Sequence, residues 1–532
     1  MKKHLQFLIT TLIVASLQST FAQSPFVFKN IDVNNINAII SPSSDLFWDF
    51  TNPTFEVPKG GQTHTIFSGA LWIGGVDGSG NVHLGAQTYR QTGSDFWPGP
   101  IDTIHFGNMG ATNYLDYNEP WKLSQAEIQA HILNYTSTNY VVPQNIAEWP
   151  GFDTTVQRVI SPFADYNGNG IYDPENGDYP YILGDQSVYA VFNDINGHTE
   201  TTCDTGGFEI HREFFAFDAP TNAALNNSIF SRYTIKNFSL TDYQDLYMTL
   251  WTDFDLGDAS DDYIGTDMNL DMSYAYNADS IDGLSQYGYG ANPPAMGVYF
   301  LDQSLSASMV YENINNSPVG NPSGCIDFYN LMKSIWLDNQ PVTYGADGRD
   351  PSNAITTFMF PGTTDPVNYP LYGEWSESTA GNPPNDRRVL SSIGPFNLVS
   401  KGVITFDVGY TYARATSGGP LASVAQLQSD VAGLRVMYDN GTLTSIPGIQ
   451  STSSVELSVY PNPATELVTI KNTGISNEFN VIIRDAIGRI MYKKDKINDP
   501  MHHVDIRSFS KGMYVISLMQ NQKSSTKKLI VK

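Results

Sequence analysis

The chain has little charge, and positive charge is scarcest. Charged residues make up 16% of its 532 residues, below the ~25% of an average globular protein, and 29 Lys and Arg stand against 54 Asp and Glu. The formal net charge is −25, and because residues 451–532 carry +5, the preceding residues carry −30. Such acidity disfavours nucleic acid and anionic membrane surfaces as partners. Divalent cations such as extracellular calcium can compensate it.

Catalytic signatures and cysteines are also sparse. The sequence contains no GxSxG nucleophile elbow, no P-loop, no dinucleotide fingerprint and no HExxH, and it has nine His. It therefore offers no signature of a serine hydrolase, a nucleotide-dependent enzyme or a zinc peptidase. The two cysteines, Cys203 and Cys325, could form one disulfide or remain two separate thiols.

Long apolar runs are missing except near the N-terminus. Lys2 and Lys3 precede a mostly apolar segment at 5–17, and small residues stand at Thr20 and Ala22. This pattern is typical of a signal peptide over residues 1–22. The apolar segment is shorter than the ~20 residues that a membrane-spanning helix needs, and no other stretch approaches that length. We therefore expect an exported chain with no membrane span.

Turn-forming and aromatic residues are plentiful: 44 Gly, 30 Pro, 30 Tyr and 28 Phe. This composition predicts a mainly β fold with few short helices. A capping box at Ser124 and Glu127 begins one helix, and a second is predicted at 421–438. In the body, residues 23–441, we predict strands at 65–73, 187–192, 209–217, 229–236, 246–252, 297–301, 355–360 and 403–413. One large β-sandwich with insertions and two abutting β-domains fit this body equally well.

The end of the chain has the pattern of a separate small domain. A polar linker at 442–454 leads into residues 455–532, where short alternating runs are separated by turn signals. The predicted strands are 467–470, 479–484, 504–506, 513–518 and 527–531. This spacing predicts a small antiparallel β-sandwich.

The same segment contains four short motifs in a fixed order. They comprise Pro461, Asn462, Pro463, Gly488, Arg489, Gly512, Tyr514 and Lys532. With these motifs the segment closely resembles the type A sorting domain of type IX secretion cargo from Bacteroidetes. The resemblance implies recognition by the type IX secretion machinery, and attachment to surface lipopolysaccharide or release. It implies an extracellular or cell-surface location.

Parts of the body are similar to a large, functionally uncharacterised group of secreted Bacteroidetes proteins. The similar segments include LWIGG at 71–75, DFWPG at 95–99, DFDLG at 253–257 and DRR at 386–388. They span most of the body and imply no catalytic residues. Thr266 stands where members of the group place a cysteine, which leaves the disulfide pairing open.

One loop has the spacing of a calcium site. Oxygen-bearing side chains stand at relative positions 1, 3, 5 and 9, Gly170 at position 6 allows a tight turn, and the position-7 carbonyl is a further ligand. Asn176 at position 12 and the neighbouring Pro174 depart from an EF-hand. The predicted ligands are Asp165, Asn167, Asn169, Ile171, Asp173 and Asp178, with Glu175 as an alternative to Asp178. The other interpretation is an Asn- and Gly-rich turn without an ion.

A second acidic cluster follows the strand predicted at 246–252. Asp253 and Asp255 alternate onto one side of the extended chain, and the next turn adds Asp261, Asp262 and Asp267. So many carboxylates would repel each other without a cation, which predicts a second calcium site. The alternative is a glycosidase acid/base pair, which needs two carboxyls facing each other across a cleft.

Two functions therefore remain at this stage. The first is a secreted or surface-anchored, calcium-stabilised β-protein without enzymatic activity, acting in adhesion, cell coat or glycan binding, with glycans or surface proteins as partners. The second is an extracellular hydrolase of polysaccharide or protein, with Glu374 or Glu377 as the acid. A transition-metal site from Glu209, His211 and Glu213, which share one face of a strand, is a further alternative to a solvent-facing strand.

Overall fold

The structure is a computed structural model that describes residues 26–105, 109–283, 287–443, 457–472, 479–485, 489–499, 501–520 and 523–532. The predicted signal peptide (1–22), most of the predicted linker (442–454) and Gly488 of the sorting motif lie outside these residues. The described chain is mainly β, which confirms the predicted fold class. Among the described helices, none is long and apolar enough to cross a membrane.

A first antiparallel sheet of nine strands forms one layer of the body. Along the sheet the strands are Lys29–Ile31, Ala38–Ile40, Asp45–Leu46, His64–Val76, Tyr243–Phe254, Arg387–Leu398 and Ala307–Glu312, with Phe55–Glu56 and Val82–Gly85 also pairing with His64–Val76. The central strands are nearly continuous apolar runs because both faces of this sheet are covered. Trp72 illustrates this, since its ring lies 4.9 Å from that of Phe328 in a later segment.

A second antiparallel sheet of nine strands forms the other layer. Its order is Trp121–Ser124, Gln186–Asn193, Phe208–Ala216, Ser228–Asn237, Val403–Ala413, Ala295–Phe300, Met272–Asn277 and Asp262–Asp267, with Trp97–Pro98 pairing with Gln186–Asn193. Small two-stranded ribbons lie between these elements. They are Ile101–Asp102 with Gly110–Ala111, Phe152–Asp153 with Arg158–Val159, Phe163–Ala164 with Tyr179–Pro180, and Ile281–Asp282 with Gly290–Ala291.

The two sheets share one core, so the body is a β-sandwich with insertions. The ring of Phe47, after the first-sheet strand Asp45–Leu46, lies 5.7 Å from that of Phe214 and 5.2 Å from that of Tyr410 in the second sheet. A polar contact also crosses the layers, where the Thr266 hydroxyl oxygen lies 2.8 Å from that of Ser308. One hydrophobic cluster joins both inner faces.

Helices and insertions cover the outer faces. The described helices are Gln125–Asn134, Gln144–Ala147, Ala223–Asn226, Cys325–Leu331, Tyr369–Tyr372, Glu377–Ala380 and Pro420–Asp439, with 3₁₀ turns at Tyr114–Tyr117, Pro174–Asn176 and Ala259–Asp261. Pro420–Asp439 packs Leu427 and Leu434 against the second sheet. The predicted strand at 355–360 is wrong, because this stretch makes only isolated bridges, from Ile355 to Thr343 and from Phe358 to Ser308.

The C-terminal domain is a small antiparallel sandwich, as predicted. One sheet holds Leu457–Tyr460, Leu467–Asn472 and Met501–Asp505, and the other holds Ile490–Ile497, Phe479–Asp485, Gly512–Gln520 and Lys523–Val531. Buried residues from both sheets, among them Val468, Ile483 and Leu529, form its separate core.

Candidate functional site

The loop from Asp165 to Asp178 is closed at its base by a buried carboxylate. It joins the paired strands Phe163–Ala164 and Tyr179–Pro180, so its two ends lie side by side. Asp178 is fully buried and accepts hydrogen bonds from the backbone N–H of Tyr166 at 2.7 Å and of Asp173 at 2.9 Å. Burial and the neighbouring Asp173 carboxylate raise the pKa of Asp178 to about 6.

The other predicted ligands of this loop surround its interior. The Asp165 carboxylate accepts from the backbone N–H of Gly168 at 2.7 Å and of Gly170 at 2.8 Å. The side-chain amides of Asn167 and Asn169 each donate to Asp173 at 3.0 Å. The structure therefore brings these polar side chains together, whereas the Ile171 side chain points to solvent.

A second group of oxygen ligands lies where two strands of the first sheet meet. Asp253, at the end of Tyr243–Phe254, pairs with Arg388, at the start of Arg387–Leu398. Antiparallel pairing also brings Asp255 and Asp386, each two residues away, to the same edge. Carboxylate oxygens of Asp253, Asp255 and Asp386 all lie within 4.8 Å of one another. We call these three residues the aspartate cluster.

One arginine and one tyrosine contact the aspartate cluster. Arg388 Nη1 lies 3.0 Å from Asp253 Oδ1 and also donates to Asp386. The Tyr89 hydroxyl donates to Asp253 Oδ2 at 2.5 Å and accepts from Arg388 Nε at 2.9 Å. When all three carboxyls are ionised, the single guanidinium leaves two negative charges uncompensated.

Burial makes this imbalance costly. The pKa of Asp255 is raised to about 9 by burial and by the charges of Asp253 and Asp386. The pKa of Asp253 is raised to about 7, mainly by burial, although Arg388 opposes the shift. In the described structure no hydrogen-bond donor reaches the Asp255 carboxylate. Three clustered carboxylates are hard oxygen ligands of the kind that calcium and magnesium prefer, so the residues fit a divalent cation.

The remaining predicted ligands of this region do not join the cluster. Asp261 accepts from the Asn277 amide at 2.6 Å, and Asp262 is buried and accepts from the backbone N–H of Leu256 at 2.9 Å. Asp267 lies on the opposite face of its strand from Asp262, where Gln428 of the long helix donates to it at 2.8 Å. One ion therefore cannot take ligands from all five predicted aspartates. The sequence did not reveal Asp386 as a candidate, because it lies near Asp253 only through the pairing of two strands, and the two aspartates are 133 positions apart in sequence.

The two cysteines are disulfide-bonded, with Cα atoms 4.9 Å apart. The bond joins the loop before the strand Phe208–Ala216 to the start of the helix Cys325–Leu331. Thr266 lies elsewhere, where its hydroxyl donates to the backbone carbonyl of Met359 at 2.8 Å.

The other candidate residues are used in structural contacts. Glu209 pairs with Arg158, and His211 Nε2 lies 2.7 Å from Glu209 Oε1. Burial lowers the pKa of His211 to about 4. Glu377 is fully buried, pairs with Arg387 and accepts from the backbone N–H of Ile264 at 3.0 Å, whereas Glu374 is exposed.

The motif residues of the C-terminal sandwich tie its strands together. The Asn462 amide donates to the Lys528 carbonyl at 2.7 Å, and its oxygen accepts from the Ile530 N–H at 2.8 Å. Arg489 Nε donates to Asp485 at 3.0 Å, and the buried Tyr514 donates its hydroxyl to the Ser510 carbonyl at 2.7 Å. Pro461 and Pro463 flank Asn462, Gly512 begins a strand, and the N–H of Lys532 donates to the Ala464 carbonyl.

Residues 458–532 match the family of secretion system C-terminal sorting domains. The end of this chain is a type IX secretion sorting domain. This domain indicates a secreted protein and implies interaction with the type IX secretion machinery. A comparison with curated proteins gave no match.

Three solved structures show distant likenesses to this chain. A polysaccharide lyase aligns over 65% of this chain and 35% of its own length, with 8% identity and a TM-score of 0.21. Latent dimeric PorU from Porphyromonas gingivalis aligns over 70% of this chain and 33% of its own length, with 12% identity and a TM-score of 0.14. The BSP domain of a biofilm associated protein aligns over 95% of this chain and 80% of its own length, with 7% identity and a TM-score of 0.14. The chain spans about a third of the length of the first two structures. TM-scores this low do not establish a shared fold and carry no information on activity.

Proposed function

We propose that this protein is a calcium-stabilised surface scaffold without enzymatic activity, which acts outside the cell in adhesion, in a cell coat or in glycan binding. After export it is attached to surface lipopolysaccharide or released. The observation that carries the proposal is the aspartate cluster, in which one buried and two partly buried carboxylates face a single guanidinium. A divalent cation would neutralise the remaining two charges.

The loop 165–178 supports a second cation. Asp165, Asn167, Asn169 and Asp173 carry their oxygen atoms around one loop, Asp178 closes it, and the Ile171 carbonyl supplies a backbone ligand. The glycine φ of +80° at Gly170 gives the tight turn that such wrapping requires. Calcium would replace the present contacts between amides and carboxylates with coordination to the ion.

The candidate hydrolytic carboxyls do not favour the enzymatic alternative. A glycosidase needs one carboxyl with a raised pKa and one ionised carboxyl, on opposite sides of an open cleft. Glu377 is buried in an ion pair, and Asp253 and Asp255 belong to one crowded group. Trp375, next in sequence to Glu374 and two residues before Glu377, is also buried in the core. This position suits packing better than stacking on a sugar.

Isothermal titration of calcium into the exported chain, residues 23–532, tests the proposal. We expect two binding events, of which Asp165→Asn removes one and Asp255→Asn removes the other. Asp439→Asn, at an exposed position on the long helix, is the matched control and should retain both. Absence of calcium binding to the unmodified chain would contradict the proposal.

A further inference from the structure

An open groove lies in the insertion that follows the strand Ala307–Glu312. Its volume is about 520 Å³, within the ~300–1,000 Å³ of typical small-molecule sites. It is formed by the segment 315–323, the first turns of the helix Cys325–Leu331, and residues 337–338. It contains none of the proposed calcium ligands.

The groove is polar, but its lining contains no cation. Asn315, Asn316 and Asn321 present amides, and Asp327 and Asp338 present carboxylates. Two prolines and Leu337 supply its apolar surface. Arg349 is close by, but its guanidinium donates to Asp338 at 2.6 Å and stacks on Trp336. A phosphate or an acidic ligand would therefore meet carboxylates and find no free positive partner.

The lining is held in place before any ligand arrives. The Asn321 amide donates to Asn313 at 3.0 Å and to Asn315 at 3.1 Å, and Asp327 accepts the Ser323 hydroxyl at 3.0 Å. The disulfide to Cys203 fixes the helix beside the groove. Preorganisation of this kind reduces the entropy lost when a ligand binds.

Some polar atoms of the groove remain available. Within the described chain the Asn316 amide makes no hydrogen bond. Asp327 accepts two hydrogen bonds from Ser323, both at Oδ2, and its Oδ1 accepts none. An amide both donates and accepts, and a carboxylate accepts, so neighbouring Asn and Asp side chains complement adjacent hydroxyl groups. The proline and leucine surfaces suit the C–H face of a sugar ring.

We propose that this groove binds a neutral oligosaccharide. The inference rests on the proposed surface role and gives it a ligand class. Amides and carboxylates hold the hydroxyl groups, and Leu337 and the prolines pack against the ring faces. The groove uses residues separate from both proposed calcium sites, so the two proposals can fail independently.

Titration of neutral tetrasaccharides of glucose, mannose, galactose and N-acetylglucosamine into the exported chain tests this proposal. We expect saturable binding of at least one, weakened at least tenfold by Asn316→Gly and by Asp327→Asn. Glycine suits the φ of +57° at position 316, and asparagine is isosteric with aspartate, so both variants should fold. Asn134→Ala, at an exposed asparagine of the helix Gln125–Asn134, is the control and should bind normally.

Two results would overturn the groove assignment: no binding of any tetrasaccharide, or binding that both groove variants leave unchanged. Both groove variants should bind calcium as the unmodified chain does in the calcium titration. Loss of sugar binding with calcium binding intact therefore assigns the effect to the groove.

Discussion

Buried charged side chains in the body differ in how their charge is compensated. Arg212 is fully buried, donates to the carbonyls of Ser41 and Ser43 at 2.6 Å each, and lies over the rings of two phenylalanines. Asp255 has no such partners, and the charges that affect its pKa most are those of the acids Asp253 and Asp386. Hydrogen bonds to a buried charged group support a fold, whereas an uncompensated carboxylate weakens it.

The raised pKa of Asp255 predicts the pH dependence of stability in chelator. An acid whose pKa is higher in the folded than in the unfolded state binds more protons when folded. The stabilising contribution of Asp255 is therefore complete below its unfolded pKa of ~4 and is lost as the pH rises towards its folded pKa of about 9. We expect the urea midpoint of the unmodified chain to fall between pH 5 and pH 9. Asp255→Asn should reduce this fall, because the amide does not ionise.

Asp439→Asn is the control for this series, since it removes an exposed carboxylate and should follow the unmodified chain. Equal slopes for Asp255→Asn and the unmodified chain would show that the Asp255 carboxyl is not the group responsible.

At the level of elements, the long helix Pro420–Asp439 shows what local pattern predicts well. Its 3.6-residue period predicts an apolar face of Val424, Leu427, Val431, Leu434 and Tyr438. The first four are buried against the second sheet, and Tyr438 is partly buried there. Gly297 allows close approach, because a Cβ there would meet Leu427 at 3.2 Å. The 3.6-residue period and the terminal signals were sufficient to place this helix within one residue at each end.

Leu427→Ala should lower the free energy of unfolding of the body by about 2–5 kcal/mol, because it leaves a cavity between helix and sheet. Leu421→Ala on the same helix is the control, since Leu421 is 68% exposed and should change stability by less than about 0.5 kcal/mol. Urea unfolding followed by circular dichroism measures both. Similar losses for the two variants would mean that the helix does not pack as described.

Strand pairing marks the limit of prediction from sequence. The strands around 65–73 and 403–413 were predicted from apolar runs, but the run at 355–360 forms only isolated bridges. The strand Ile490–Ile497 was missed because its lysines obscure the alternation. Asp386 joins Asp253 only through the register of two strands far apart in sequence, and no local pattern encodes that register. The loop 165–178 was predictable because its ligands are consecutive.

On the scale of the whole molecule, the sorting domain and the acidic β-sandwich occupy different parts of the chain. The sorting domain has its own core and carries a net positive charge, whereas the body, residues 23–441, carries a net charge of −32 and both proposed calcium sites. Bound calcium would link the body's stability to the medium that it meets after export. Each site, at 1,000 times its Kd, would contribute about 4 kcal/mol.

The central claim, calcium stabilisation of the body, is tested most directly by calorimetric melting of residues 23–532 in calcium and in chelator. We predict a higher melting temperature in calcium for the transition of the body, and no such shift in the double variant Asp165→Asn/Asp255→Asn. The transition of the sorting domain, which contributes no proposed ligand, is the internal control. Identical melting of the body in calcium and in chelator would contradict the account.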